Sequence, residues 1–597
     1  MNRSDVKLGI VLVILLMAIS ATRAETNGRF TIKSVSLADN DNFSDARLQA
    51  VMISVPHHWY RRSYYYPEVL QDDLKNIELF YHENGYLDAK IIDHHVSLDS
   101  VNRKAHIAIT VAEGELTTVE SIGFFGNNLF SDEELAQIID IKSGDPLQQS
   151  KLRSANIEIL TRYANRGYLE AVIEPKSFIK PEINRVIIDF YITESHEFKI
   201  GNILPVGLEV TKPVIVFREI TFHQGEIVDY SKLLESQRRL YLMGLFKSVN
   251  ITAVSSAIGD STQKDIEIRV VENSSGGVGV LAGFESVEKL RGRVEFYNNN
   301  LWGTARKFSL SARASFINNK FEVSFTDPYT FKTAWRSDLR AAIDYNDEPG
   351  YDMDRNHVNL IVGHGLEKRR MVTVGYRRER VVLKNIRVTE IPHIKTMDIS
   401  GLKVSFLRDT RNNLFNATEG SYLEISNELT GGILGGTRSF VRIESKLKRF
   451  FLLKNETVIG SSIGIGFERP LDGATEIPLN ERFYAGGLNT IRGFDYQKVG
   501  PLSDKRVPIG GQFSIVWNVA EIRTPIYKMI GGVLFLDSGN VWRSSKEFKI
   551  TTMRVAAGTG LRVNTPIGLI RLDIGFNVDR KPREEFYKVH VGLGHVF

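Results

Sequence analysis

The run Tyr587-Lys588-Val589-His590-Val591-Gly592-Leu593-Gly594-His595-Val596-Phe597 decides the fold class. In an extended chain Tyr587, Val589, Val591, Leu593, His595 and Phe597 share one face, and Lys588, His590, Gly592 and Gly594 share the other. One apolar face and one polar or small face fit a strand with lipid outside it and a lumen inside. Glycine-punctuated alternation of this kind runs back to about Gly276. A membrane-spanning strand takes about 10 residues and its connections about as many again, so residues 276–597 hold about 16 antiparallel strands, an even number, closed as a transmembrane β-barrel. A soluble sandwich shows the same local alternation, so the rest of the chain has to choose between them.

The N-terminus favours the membrane. Arg3 and Lys7 precede an apolar run from Leu8 to Ile19, and Thr22-Arg23-Ala24 has small residues where a signal peptidase reads, so residues 1–24 are expected to be a signal peptide. The run is short of the roughly 20 residues that a membrane helix needs, and no later stretch reaches that length. There is no cysteine, hence no disulfide framework and no lipid anchor on a cysteine. The 76 basic and 71 acidic residues nearly balance, which does not fit the concentrated basic face of a nucleic-acid binder.

Residues 29–273 read differently, as short strands alternating with amphipathic helices in units of about 80 residues. A helix runs to an aromatic and a glycine in each: Tyr81 to Gly85-Tyr86, Tyr163 to Gly167-Tyr168, and Tyr241 to Gly244-Leu245-Phe246. Leu70, Leu74, Ile77 and Tyr81 lie at helical spacing, so one face packs and the glycine stops the helix. A strand ending in an acid closes each unit, at Val111-Ala112-Glu113, Ile192-Thr193-Glu194 and Val270-Val271-Glu272. Ser131 and Glu134 form a capping box that starts an earlier helix in the middle unit. The order is strand, helix, helix, strand, strand, in units at 29–114, 115–195 and 196–273, with the barrel at 276–597.

That order resembles the POTRA (polypeptide-transport-associated) domain, three times in tandem. Glu481-Arg482-Phe483-Tyr484-Ala485-Gly486-Gly487, running on through Asn489-Thr490-Ile491-Arg492-Gly493-Phe494, resembles the sixth-loop motif of the BamA/TamA outer-membrane assembly superfamily. Phe535-Leu536-Asp537-Ser538-Gly539 is similar to its strand motif facing that loop. Phe406 to Arg411 with Thr418-Glu419-Gly420 is similar to its mid-barrel pattern, and Gly560-Leu561-Arg562 with Thr565-Pro566-Ile567-Gly568 completes the set. The resemblance implies an outer-membrane insertion, translocation or assembly factor. Its POTRA domains would stand in the periplasm and receive unfolded outer-membrane protein clients. Three such domains resemble TamA-type members most, whose partner would be a TamB-like periplasm-spanning protein; a shortened BamA-type member would use assembly lipoproteins. A polypeptide secretion pore of the two-partner type and a porin-like channel are the alternatives.

The resemblance further implies that the loop folds into the lumen and that Arg492 pairs there with Asp537, or with Glu521 second, while Gly493 allows close passage and Phe494 anchors the tip. A seam between first and last strands is expected at Gly277, Gly279, Gly283, Gly592, Gly594 and Phe597, because glycine leaves strand register weakly specified. Such a seam would open sideways and admit a client strand, although relief of crowding would also account for the glycines. His595 departs from the usual terminal pattern. No enzyme chemistry, cofactor or metal is expected. Gly460-Ser461-Ser462-Ile463-Gly464 matches a nucleophile elbow but lies in barrel-like alternation. His94 and His95 point to opposite faces of a strand. Asp344, Asp347, Glu348, Asp352 and Asp354 lack the spacing of a calcium loop. Trp59 to Arg62 and Tyr64 to Tyr66 read as packing and turn surface.

Overall fold

The structure is a computed structural model that describes residues 30–57, 63–256, 262–366, 369–392, 394–414, 416–471, 473, 476–527, 529–565 and 568–593. The signal-peptide segment, Trp59 to Arg62, Gly594, His595 and Phe597 lie outside the described residues.

Three α+β units come first. The first contains β1 (Thr31–Ala38), α1 (Asp45–Gln49), α2 (Pro67–Glu83), β2 (Lys90–Asp99) and β3 (Lys104–Ala112). Its central strand β3 runs parallel to β1 and antiparallel to β2. The second repeats the arrangement with β4 (Thr118–Phe125), α3 (Asp132–Ile138), α4 (Gln149–Ala164), β5 (Val172–Lys180) and β6 (Arg185–Thr193). The third has β7 (Lys199–Val206), α5 (Pro213–Glu219), α6 (Tyr230–Leu242), β8 (Phe246–Ser255) and β9 (Gln263–Glu272), again with its last strand in the middle.

Helix α2 starts on Pro67, whose fixed φ suits a first turn, and buries Leu70, Leu74, Ile77 and Tyr81 against the sheet. Gly85, at φ +97°, ends that turn in a conformation that disfavours side chains. Ser131 and Glu134 form both halves of the capping box on α3. The acid that closes each unit holds the loop after the first strand. Glu113 accepts from the Asn42 N–H and from Tyr81 Oη at 2.8 Å. Glu194 accepts from the Leu129 N–H and from Tyr163 Oη at 2.8 Å. Burial, reinforced by the acid, pushes both tyrosine hydroxyls well above their ordinary range.

The third unit differs from the sequence reading. Tyr241 is exposed, and Leu240 is the buried residue. Tyr241 lies three positions before Gly244, against four in the other units, and that one-residue change turns the ring outward. Glu272 instead accepts the N–H groups of Glu209, Val210 and Thr211.

Among the described residues sixteen strands close the barrel. They are β10 (Gly276–Glu285), β11 (Lys289–Leu301), β12 (Arg306–Ser315), β13 (Asn318–Thr330), β14 (Trp335–Glu348), β15 (Tyr351–Leu366), β16 (Arg370–Lys384), β17 (Thr396–Asp409), β18 (Gly420–Thr430), β19 (Phe440–Leu452), β20 (Val458–Pro470), β21 (Phe513–Tyr527), β22 (Ile530–Trp542), β23 (Arg554–Thr565), β24 (Gly568–Asn577) and β25 (Tyr587–Leu593). Each is antiparallel to the next, and β25 returns to β10. Outward positions such as Leu339, Leu360 and Tyr376 are exposed apolar residues, whereas the alternate Asp344, His357 and Glu379 are buried inside. The connection between β20 and β21 buries Leu479, Ala485, Ile491, Phe494 and Val499, which marks it as packed structure and not a solvated loop.

Candidate functional site: the lumenal loop and the seam

Inward-facing strand positions place charged side chains around the β20–β21 connection. Arg492 donates from Nε to Asp537 Oδ2 at 2.7 Å and from Nη2 to Asp537 Oδ1 at 2.8 Å, a two-pronged fork. Its backbone N–H adds a third bond to Asp537 at 3.2 Å. Nη1 reaches Glu521 Oε2 at 2.7 Å. The guanidinium lies 3.4 Å from the Phe535 ring centroid, so its charge also meets an aromatic face. Asn518 ties Asp537 to the Thr490 carbonyl, each at 3.0 Å, and Arg562 holds Asp573 beside the group. At Gly493 a Cβ would press on Ala556 at 2.6 Å and on the Phe576 carbonyl at 2.9 Å, so the backbone passes here only because the side chain is missing. Phe494 is buried under the Arg554 guanidinium, in a cluster with Ile491, Val541 and Ala556.

Two anchors have no counterpart in the sequence reading. His590 Nε2 donates to the Arg492 carbonyl at 2.8 Å, which joins the loop tip to the last strand. Glu481, the first residue of the loop motif, accepts from Arg377 Nη2 at 2.9 Å and from Arg442 Nη2 at 3.0 Å. Arg377 also reaches Glu428, and Arg442 reaches Glu468, each at 2.5 Å. The loop is therefore held at Glu481 by β16 and β19, and at Arg492 by β21, β22 and β25. Just beyond Arg492, Tyr496 and Gln497 donate to Glu348 of β14. The signal for His590 was its lumen-facing parity in the last strand. The arginines facing Glu481 lie 104 and 39 residues from it and resemble ordinary inward strand positions. A cavity of about 710 Å³ beside Arg492 is lined by Arg411, Lys448, Arg523, Arg562 and Arg571 among others.

The seam glycines occupy defined places. Gly277, Gly279, Gly283 and Glu285 alternate inward on β10, while Val278, Val280 and Phe284 are exposed outward. Gly277 makes room for the Tyr297 ring, which a Cβ there would meet at 2.8 Å, whereas a Cβ at Gly592 would meet Arg571 and Leu488 only in ordinary contact at 3.5 and 3.8 Å. Among the described residues β10 and β25 share two registered pairs, Phe284 with Leu593 and Glu285 with Gly592. Ser286 adds bonds to both polar backbone groups of Val591. By contrast β10 shares ten pairs with β11.

The remaining candidates acquire ordinary roles. Asp344 binds Arg355, Asp352 binds Arg387, and Glu348 binds the loop, so these acids are paired with side chains of the barrel and not arranged around a cation. Ser461 and Ser462 lie within β20, with no helix after them. His94 and His95 are adjacent in β2.

Residues 300–597 match the model of the Omp85 superfamily domain, and residues 30–114 and 117–195 each match the POTRA model, the surface antigen variable number repeat. The chain belongs to the Omp85 superfamily. Among Omp85 relatives, the outer membrane protein assembly factor BamA of Nitratidesulfovibrio vulgaris is 25% identical over 530 residues, covering 86% of this chain and 66% of that protein. BamA of Neisseria meningitidis serogroup B is 23% identical over 631 residues, covering 95% and 78%. The chain thus spans just under two thirds of the first relative and about three quarters of the second. In fold, it matches the crystal structure of BamA from Haemophilus ducreyi lacking POTRA domains 1-3 with a TM-score of 0.66 at 18% identity, over 80% of this chain and 99% of that one.

Proposed function

We propose that this Omp85 protein is an outer-membrane assembly factor. The units at 29–114, 115–195 and 196–273, the third read as a POTRA domain on its strand order, receive unfolded outer-membrane protein clients in the periplasm. The barrel then admits client strands through the β10–β25 seam. The observation that carries this reading is the seam itself, where Gly277, Gly279 and Gly283 take three of the five inward positions of β10 and the registered pairs with β25 among the described residues are Phe284 with Leu593 and Glu285 with Gly592. An edge freed there exposes N–H and C=O groups that a client strand completes by β-augmentation. Folding of the client into lipid supplies the free energy, so no nucleotide or cofactor enters the cycle.

The chain has no native cysteine, so Phe284→Cys with Leu593→Cys provides one pair across the seam. Purified protein in liposomes is expected to insert an unfolded barrel client when reduced and to stop when oxidised. Equal insertion in both states rejects the seam as the gate. The same assay separates a secretion pore, which would deliver its substrate into the vesicle interior instead of leaving it protease-resistant in the bilayer. The three-unit layout supports a TamA-type role with a TamB-like partner over a BamA-type role with assembly lipoproteins, and co-purification from membranes distinguishes them.

A further inference from the structure

Two cations face each other on the lipid side of the barrel. Arg370 opens β16, Arg408 lies one residue from the end of β17, and the two are exposed register partners. Parity places both outward. On β16, Val374 and Tyr376 share the parity of Arg370 and are exposed, while Arg377 and Glu379 take the other and Arg377 reaches the lumenal loop. On β17, Leu402 and Val404 share the parity of Arg408 and are exposed, while Asp409 takes the other and holds Arg411.

The level of the pair follows from strand direction. The chain enters β10 from the periplasmic units and each strand is antiparallel to the next, so β16 starts and β17 ends at the periplasmic end of the barrel. The next outward row is Val372 with Phe406, and apolar Val374, Tyr376, Val404 and Leu402 lie beyond it. The arginines therefore stand at the periplasmic edge of the apolar belt, where an outward cation costs little.

Their mutual repulsion has no partner on that face. Like charges directly opposite on neighbouring strands, with Cβ atoms about 5 Å apart, are destabilising. Across β15 and β18 the register neighbours are Leu366 for Arg370 and Leu423 for Arg408. The acids of these four strands lie elsewhere. Glu379, Asp409, Glu424 and Glu428 have inward parity, and Asp352, Asp354 and Asp398 lie at the opposite end of their strands. Among the described residues neither guanidinium pairs with a carboxylate.

We propose that Arg370 and Arg408 together hold the phosphate of an anionic phospholipid in the leaflet facing the periplasm, with an acyl chain over Val372 and Phe406. A phosphate between two guanidinium groups takes charge-assisted bonds from both and turns their repulsion into shared attraction. A zwitterionic headgroup brings its own cation and offsets two positive charges less well, so the site selects net negative lipid. It is independent of the seam and of the lumenal loop.

The test uses the full chain in phosphatidylcholine nanodiscs containing a minor fraction of phosphatidylglycerol, released into detergent and weighed by native mass spectrometry. Wild type is expected to retain phosphatidylglycerol in preference to phosphatidylcholine. Arg370→Ser with Arg408→Ser should lower that preference roughly tenfold. Arg370→Lys with Arg408→Lys keeps the charge without the fork and should fall between. Arg449 is a further outward arginine at the periplasmic end of β19, in register with Ser421 and 5.1 Å from the Phe451 ring centroid, so Arg449→Ser should leave the preference nearly unchanged. No preference in wild type, or one unmoved by the serine pair, overturns the proposal. A loss in Arg449→Ser as large as in the serine pair also overturns it, because any cation of the rim then serves. Displacement of the lipid by an equal concentration of glycerol 3-phosphate overturns it too, since the site then takes a free anion. If the serine pair disrupts the barrel, judged by heat-modifiable mobility, Arg370→Ser alone decides: it removes the like-charge pair and should lower the preference, and an unchanged preference overturns the proposal.

Discussion

At the scale of the residue, Arg492 organises the lumen because each nitrogen of its fork has a partner and Asp537, which takes two of them, is fully buried. Removing one member of such a buried pair costs about 3 to 5 kcal/mol, since the other charge is left uncompensated. Arg492→Ala should therefore release the 471–512 connection to limited proteolysis and lower assembly activity; unchanged digestion and activity would count against the clamp. Arg492→Lys keeps the charge but loses the two-pronged geometry, so it should fall between wild type and alanine in the same digest. The pairing of Arg492 with Asp537 was legible because both sit in short motifs that resemble a known family. The pairing of Glu481 with Arg377 and Arg442 was not, because strand register decides which distant inward side chains meet, and the sequence carries no register.

At the scale of the element, the repeats and the β24–β25 hairpin each offer a measurable consequence. Tyr81→Phe and Tyr163→Phe each remove a bond to a carboxylate worth about 1.5 to 3 kcal/mol and should lower the denaturation midpoint of the N-terminal units. Tyr241→Phe should leave it unmoved, because that ring is exposed. The contrast reveals how far the repeat could be read: the period located the three helices and their glycine stops, but the one-residue difference before Gly244 decided which side chain turned inward. Glu584, in the connection between β24 and β25, responds to acid. Burial opposes its ionisation, but bonds from Arg554, the Lys581 N–H and Asn577 outweigh that and hold its carboxyl at about 2, below the ordinary 4.5. A carboxyl held low stabilises fully above about pH 4.5, and the contribution is lost as pH falls toward 2. Amide exchange of residues 577–587 should accelerate over that window in wild type, and Glu584→Gln should remove the acid dependence.

At the scale of the whole molecule, strand number and the two-part division were legible because a barrel strand and a helix leave different periods in the chain. The way the loop joins distant strands was not, since it depends on closure. Glu481 ties the first part of the loop to β16 and β19, and Arg492 ties its tip to β21, β22 and β25. Spin labels placed on inward positions of β14 and β22 should give a narrow distance distribution in wild type and a broader one in the Glu481→Ala, Arg492→Ala double variant; equal widths would show that the loop does not hold the walls. A hoop with a crossbar cannot flatten along the bar. A squeeze that the bilayer applies to the wall should then be relieved at the β10–β25 junction, where the described residues share two registered pairs. If the proposed seam is the gate, membrane tension is expected to change client insertion by this barrel in liposomes, and equal insertion at low and high tension would show that the junction is not where the wall yields.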